Sequence, residues 1–242
     1  MTTAAPALIS AITSRRLFSD RDDEACTRLV EWSIAIAGAG VDILQIRERG
    51  LTDACLAALI RRVLIVTAAT GLRVLVNDRT DVALATGAAG VHLPASSPAS
   101  ATVRRVVRPG MLIGRSVHEG ADTRLAARTA GSDYLTFGTV FQSSNKPADH
   151  HPVGVAALRR ACTATSLPVL AIGGVTLARA QEVARAGAAG VAAIGLFIDP
   201  WLDGGTTQAR AARLADTVAA LRATFGAHPR SLDPMPAGHR RS

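Results

Sequence analysis

The stretch Gln45-Ile46-Arg47-Glu48-Arg49 closes an apolar run with two guanidiniums two residues apart. In an extended chain Gln45, Arg47 and Arg49 share one face, and Ile46 and Glu48 the other. Arginines placed in this way present forked donors to a phosphate or carboxylate; an ion pair with Glu48 is the competing use. Asn77-Asp78-Arg79 follows the next run, with Asp81 close behind. A carboxylate there could hold Mg2+, cap the following helix or orient an arginine. His92 lies in Gly90-Val91-His92-Leu93-Pro94, where a site role and a packed core role are equally open. Gly114-Arg115-Ser116-Val117-His118 puts Ser116 and His118 on one face as a run ends. A histidine so placed suits proton transfer near neutral pH.

Further along, Gly138-Thr139 leads into a segment reaching Pro152, long for a strand-to-helix connection and therefore read as a lid or binding loop. It carries Lys146, the only lysine in a chain that otherwise uses arginine throughout. An ammonium and a guanidinium are not equivalent at a phosphate, which singles Lys146 out. His150 and His151, adjacent on the same polar loop, read as solvated rather than as metal ligands. Two late runs end in glycine, at Ile172-Gly173-Gly174 and at Ile194-Gly195. Glycines at such ends let backbone N–H groups approach a phosphate, helped by a helix N-terminus.

What must position these groups is legible in the apolar pattern. Eight runs, Ala7–Thr13, Val41–Ile46, Arg73–Val76, Gly90–Leu93, Met111–Ser116, Tyr134–Thr139, Pro168–Ile172 and Gly190–Ile194, alternate with helical periodicity, as in Glu24–Ala37, Ala54–Thr67, Ala121–Thr129, Val155–Ala164 and Leu177–Ala186. Strands alternating with helices specify βαβ units and a parallel sheet. Eight units in 242 residues predict one closed (β/α)8 TIM barrel over 1–225, with its site at the C-terminal strand ends. The related entries Thr86-Gly87-Ala88-Ala89-Gly90-Val91 and Ala186-Gly187-Ala188-Ala189-Gly190-Val191 fit half-barrel symmetry, each glycine ending a helix in a left-handed cap. Hydrophobic residues make up 48% with only 3% aromatics, so the core must be aliphatic, as parallel strands covered by helices require.

Composition also excludes classes. The net charge of +8 is spread over helices without interleaved aromatics or a reader motif, so no nucleic-acid partner is expected. No stretch reaches the roughly 20 apolar residues of a membrane span, and Met1–Pro6 lacks a positive region followed by a long apolar stretch, so no secretory signal is expected; no membrane partner and a cytoplasmic location are expected. Cys26, Cys55 and Cys162 read as small core fillers in a reducing compartment. Gly226–Ser242, rich in Pro, Gly, His and Arg, reads as a disordered basic tail.

In order and spacing, these segments resemble the thiamine-phosphate synthase superfamily, which includes a thiazole tautomerase branch. The carriers are Gln45-Ile46-Arg47-Glu48-Arg49, Val76-Asn77-Asp78-Arg79, Gly90-Val91-His92-Leu93, Ile113-Gly114-Arg115-Ser116-Val117-His118 and Ala171-Ile172-Gly173-Gly174. The departures bear on the branch. Ser97 stands where the synthase branch has a Mg2+-binding aspartate, Ser14 replaces an aspartate, and Arg49 replaces a lysine. Ser143-Ser144-Asn145-Lys146 keeps the lysine of the synthase loop and loses its second threonine. Leu93-Pro94 followed by the His118 motif is similar to the tautomerase branch.

The resemblance therefore implies, first, a tautomerase needing no cofactor or metal. His118 would relay the proton that aromatises a thiazole carboxylate phosphate. Gly173, Gly174 and Gly195 would bind the phosphate, and Gln45, Arg47, Arg49, Asn77, Asp78, Ser116, Thr139 and Lys146 the rest of this small phosphorylated thiazole substrate. The alternative is the synthase, joining a pyrimidine diphosphate to thiazole phosphate with Mg2+ on Asp78. A third reading is a non-catalytic regulatory barrel. Relatives of this kind suggest a homodimer.

Overall fold

The computed structural model describes residues 5–118, 131–143 and 151–228. Eight parallel strands close into a barrel in chain order: β1 (Leu8–Ile12), β2 (Ile43–Ile46), β3 (Arg73–Asn77), β4 (Gly90–Leu93), β5 (Leu112–Val117), β6 (Tyr134–Gly138), β7 (Val169–Ile172) and β8 (Gly190–Ala193). Closure is made by β1 on β8, from Leu8↔Gly190 to Ala11↔Ala193. The fold is the TIM barrel that the alternating runs predict, with each strand at its expected place.

The described helices are α1 (Asp22–Gly38), α2 (Asp53–Thr67), α3 (Thr80–Thr86), α4 (Ser100–Arg104), α5 (Gly154–Thr163), α6 (Leu177–Arg185), α7 (Gly195–Leu202) and α8 (Thr207–Phe225). The α3 unit is short, as its sequence suggests. The expected helix Ala121–Thr129 falls outside the described residues. Gly87 caps α3 in the left-handed region (φ 75°), its N–H donating to the Ala83 carbonyl, and Gly187 does the same work after α6 (φ 90°). The repeated Gly-Ala entries therefore are helix stops, as their composition implies.

Period-two alternation divides the strands between two cores. Ile9, Leu44, Ile46, Val74, Val76, Val91 and Ile113 face the helices. Leu8, Ile12, Ile43, Leu75, Leu112, Tyr134 and Leu170 fill the barrel. Along that inward parity, side chains turn polar toward the strand C-termini: Gln45, Asn77, His92, Ser116 and Thr136 follow Ile43, Leu75, Gly90, Leu112 and Tyr134 on the same rows. The apolar floor holds the fold together, and the polar layer above it faces the site.

One cysteine departs from expectation. Cys162 is buried and Cys26 half-buried, but Cys55 is exposed, because it lies in the first turn of α2 where Thr52 caps the helix toward solvent. Of the segment read as a tail, Ala227–His228 pairs antiparallel with Ala5–Pro6 across the N-terminal end of the chain; residues 229–242 fall outside those described. Among the described residues no helix is long and apolar enough to cross a membrane.

Candidate active site

A cavity of about 730 Å³ opens at the C-terminal ends of the strands. It is lined by Gln45, Arg47, Arg49, Asn77, Ser116, His118, Thr139, Gly173, Gly174 and Gly195, so the strand-end residues singled out in the sequence come together. Asp78 does not line it, and Lys146 falls outside the described residues.

The two arginines are placed by their neighbour. Glu48 is buried on the far side of the strand end, where its Oε1 accepts from the Arg15 backbone N–H (3.0 Å) and its Oε2 from Arg15 Nη1 (3.3 Å). Glu48 thus pairs with Arg15, not with Arg47 or Arg49. The Arg47 N–H donates to Thr13 Oγ1 (2.9 Å), tying the same turn to the end of β1. Among the described residues neither the Arg47 nor the Arg49 guanidinium bonds a carboxylate. Burial lowers the Arg47 pKa, and the Arg49 charge lowers it further. Two neighbouring cations held in this way gain by sharing an anion.

Beside them Gln45 Nε2 donates to Asn77 Oδ1 (3.0 Å). The bond leaves the Gln45 carbonyl and the Asn77 amide N–H groups for a ligand carrying both a donor and an acceptor. Asp78 follows in the left-handed region (φ 67°), is exposed, and accepts a hydrogen bond from Ser97 Oγ. It caps no helix. Orienting an arginine falls instead to Asp81 and Asp53, which both pair with Arg79. Ser97 is held there by Arg115, whose guanidinium donates to the carbonyls of Ala95, Ser97 and Pro98. Position 97 therefore faces Asp78, where a second carboxylate would complete a cation site.

For Mg2+ the donor set is one carboxylate and a neutral hydroxyl. Among the described residues no three His, Cys, Asp or Glu gather to hold a metal. Magnesium is commonly held by one or two carboxylates together with substrate phosphates. Asp78 offers one such carboxylate from beside the cavity, next to Asn77, which lines it, and the substrate would have to supply the remaining oxygens.

His118 stands exposed at the mouth, its Nδ1 2.8 Å from the Gly138 carbonyl. A carbonyl only accepts, so Nδ1 carries a proton, and in the neutral ring the lone pair is left on Nε2. At the next strand end, beside Gly138 and Thr139, Gly173 (φ 94°) and Gly174 (φ 62°) adopt conformations closed to most side chains. A Cβ at Gly173 would stand 2.3 Å from Thr139 Cγ2, and one at Gly174 2.3 Å from the Gln142 carbonyl. With Gly195 opening α7, they bring backbone N–H groups to the wall where an anion can be cradled.

Sequence reasoning missed several lining groups. Arg179 of α6 stacks over Phe141 and donates to the Gly174 carbonyl (2.7 Å), adding a cation beside the glycines. Gln142 and Ser143 begin the expected binding loop and line the cavity. Asp199 leans over the first turn of α7, and burial raises its pKa. Arg179 and Asp199 lie within helices, so a search confined to strand ends passes over them. His92, left open in the sequence, lines the floor of the cavity and is buried.

Known proteins agree with this geometry. A thiamine-phosphate synthase from Roseiflexus castenholzii is 36% identical over 191 residues, 79% of this chain and 81% of that protein. One from Methanoculleus marisnigri is 38% identical over 187 residues, 77% of this chain and 86% of that protein. The solved thiamine phosphate pyrophosphorylase from Pyrococcus furiosus superimposes with a TM-score of 0.71 at 26% identity, covering 89% of this chain and 96% of that one. A family model described as thiamine monophosphate synthase matches residues 16–197. That match spans the barrel from the turn after β1 to the start of α7, and the chain belongs to the thiamine monophosphate synthase family.

Proposed function

We propose that this barrel is a thiamine-phosphate synthase, a transferase that joins hydroxymethylpyrimidine diphosphate to thiazole phosphate and releases pyrophosphate. The observation that carries the reading is the pair of anion-binding ends on one cavity. Arg47 and Arg49 form one end, and the Gly173-Gly174 turn with Gly195 and Arg179 forms the other. A reaction between two phosphorylated substrates uses both ends at once. The weight given by sequence to a tautomerase, which rested on Ser97 and the His118 motif, is outweighed by the relatives at 36% and 38% identity, each named as a synthase.

In this reading Arg47 and Arg49 hold the diphosphate and stabilise charge as it departs. Gln45 and Asn77 present an acceptor and donors to the pyrimidine. Gly173, Gly174 and Gly195 fix the thiazole phosphate, so that the ring nitrogen lies in line with the carbon it attacks. Thr139 lines the same cavity, and Lys146, outside the described residues, is the ammonium the family resemblance assigns to the diphosphate. Asp78 would hold a Mg2+ ion shared with the diphosphate, and that ion would supply positive charge to the leaving group.

The tautomerase stays as a second reading on one observation, the uncommitted Nε2 of His118. With Nδ1 anchored, that nitrogen can take a proton from one ring position and return it to another. Two assays separate the readings. The purified protein is given pyrimidine diphosphate, thiazole phosphate and Mg2+ in one, and the thiazole carboxylate phosphate tautomer without metal in the other. The synthase predicts thiamine phosphate in the first assay, lost in Arg47→Ala and sharply reduced in Asp78→Ala. Aromatisation that disappears in His118→Ala, with no product in the first assay, would overturn it. Binding without turnover in either would leave a regulatory barrel.

A further inference from the structure

Below the cavity three strands meet at one level through the register His92↔Gly114↔Tyr134. Gly114 leaves the space between the other two empty, since a Cβ there would stand 2.2 Å from Tyr134 Cζ and 2.4 Å from its hydroxyl. The Tyr134 ring lies across that gap and sets its hydroxyl 3.0 Å from His92 Nδ1. On the other side of the imidazole, Nε2 is 2.9 Å from Ser116 Oγ and 3.4 Å from Thr136 Oγ1, and the two hydroxyls are 3.2 Å apart. Ser116, Thr136 and His92 line the cavity, whereas Tyr134 is fully buried.

The direction of the protons in this chain follows from counting donors and acceptors. A neutral imidazole has one N–H and one lone pair. Among the described residues the Tyr134 hydroxyl bonds no acceptor except His92 Nδ1, and a buried phenol that failed to donate would leave its proton unpaired. Tyr134 therefore donates to Nδ1, and Nε2 carries the proton. That N–H is given to Ser116. Ser116 and Thr136 share one hydrogen bond between them, so one hydroxyl proton is left over at a corner that lines the cavity. We propose that Tyr134, acting through His92 as a positioning pair, leaves the Ser116–Thr136 corner one uncommitted hydroxyl proton, so that the corner donates to a substrate atom that accepts, such as a ring nitrogen or an anionic oxygen. In the opposite tautomer Nε2 would accept from Ser116, both hydroxyl protons would be committed, and the corner could only accept. The polarity holds because the imidazole stays neutral. Burial, then the charges of Arg115 and Arg47, lower its pKa to about 3, and burial raises that of Tyr134, which keeps its phenol proton.

The assignment rests on the proposed function only for the identity of the substrate, and its first test needs no turnover. Nitrogen-15 spectra of the histidine-labelled protein at pH 7 read the His92 tautomer directly. The Nε2–H form is expected, and the Nδ1–H form would overturn the inference. Tyr134→Phe keeps the ring and is expected to abolish the preference for one tautomer. A mutant cycle in the synthase assay then reads the corner itself. Ser116→Ala and Tyr134→Phe should each raise KM about three- to tenfold, the worth of one neutral hydrogen bond. The double variant should be no worse than the poorer single one, and independent, multiplying effects would refute the coupling. An inactive protein that shows the Nε2–H tautomer would sink the synthase reading and leave the polarity of the corner standing.

Discussion

Replacing His92 by glutamine removes a buried titrating group while keeping one donor and one acceptor in the side chain. An unfolded histidine takes up its proton near 6.5, whereas His92 in the folded barrel holds out to about 3. Between those values the unfolded chain binds more protons than the native one, so acid favours unfolding. The contribution of the neutral imidazole is complete above 6.5 and is lost progressively as pH falls toward 3. At pH 5, about 1.5 pH units below the free imidazole, the loss is about 2 kcal/mol at roughly 1.4 kcal/mol per unit. Urea unfolding of both proteins at pH 7 and pH 5 measures it. The native protein should lose about 2 kcal/mol more stability than His92→Gln over that interval. Equal losses would mean that His92 is protonated in the fold, and the donor count at the cavity floor would then fail.

Two other substitutions probe the walls of the cavity. Gly173→Ala places a methyl against Thr139 in a left-handed backbone, and should weaken thiazole phosphate binding while costing about 1–3 kcal/mol of stability; Gly187→Ala, also left-handed but 3.4 Å from Cys162, should cost stability and leave calorimetric affinity intact. Glu48→Ala leaves the buried Arg15 guanidinium with Asp22 as its remaining carboxylate and should destabilise the barrel by about 1–3 kcal/mol in denaturant titration, the worth of a lost hydrogen bond to a charged group, raising KM as the Arg47 turn loosens; an unchanged KM would show that Thr13 alone holds the turn.

The sequence carries the architecture because both of its periods are local. Aliphatic runs such as Val41–Ile46 and Pro168–Ile172 have no competing use in a chain with 3% aromatics, and the Gly87 and Gly187 stops lie in plain view between them. The parity that puts Gln45, Arg47 and Arg49 on one side and Glu48 on the other is also local, and the structure keeps it. What parity cannot name is the partner across the barrel. Glu48 finds Arg15, 33 residues away, and Asp78 is met by Ser97 from the next strand loop. Asp78 also lies outside the cavity lining, exposed and in the left-handed region at φ 67°.

Thus the amino-acid order determined a parallel barrel, the strand ends that carry its chemistry, and the family resemblance built on them. Only the tertiary structure decided how those ends work together. Arg179 enters the cavity from a helix, His118 is fixed by the Gly138 carbonyl, and Tyr134 reaches His92 across the space that Gly114 leaves open. The physical reason is that strand and helix periods are set by backbone geometry within a few residues. Hydrogen-bond polarity and burial instead depend on neighbours brought together by barrel closure, from strands that are far apart in the chain.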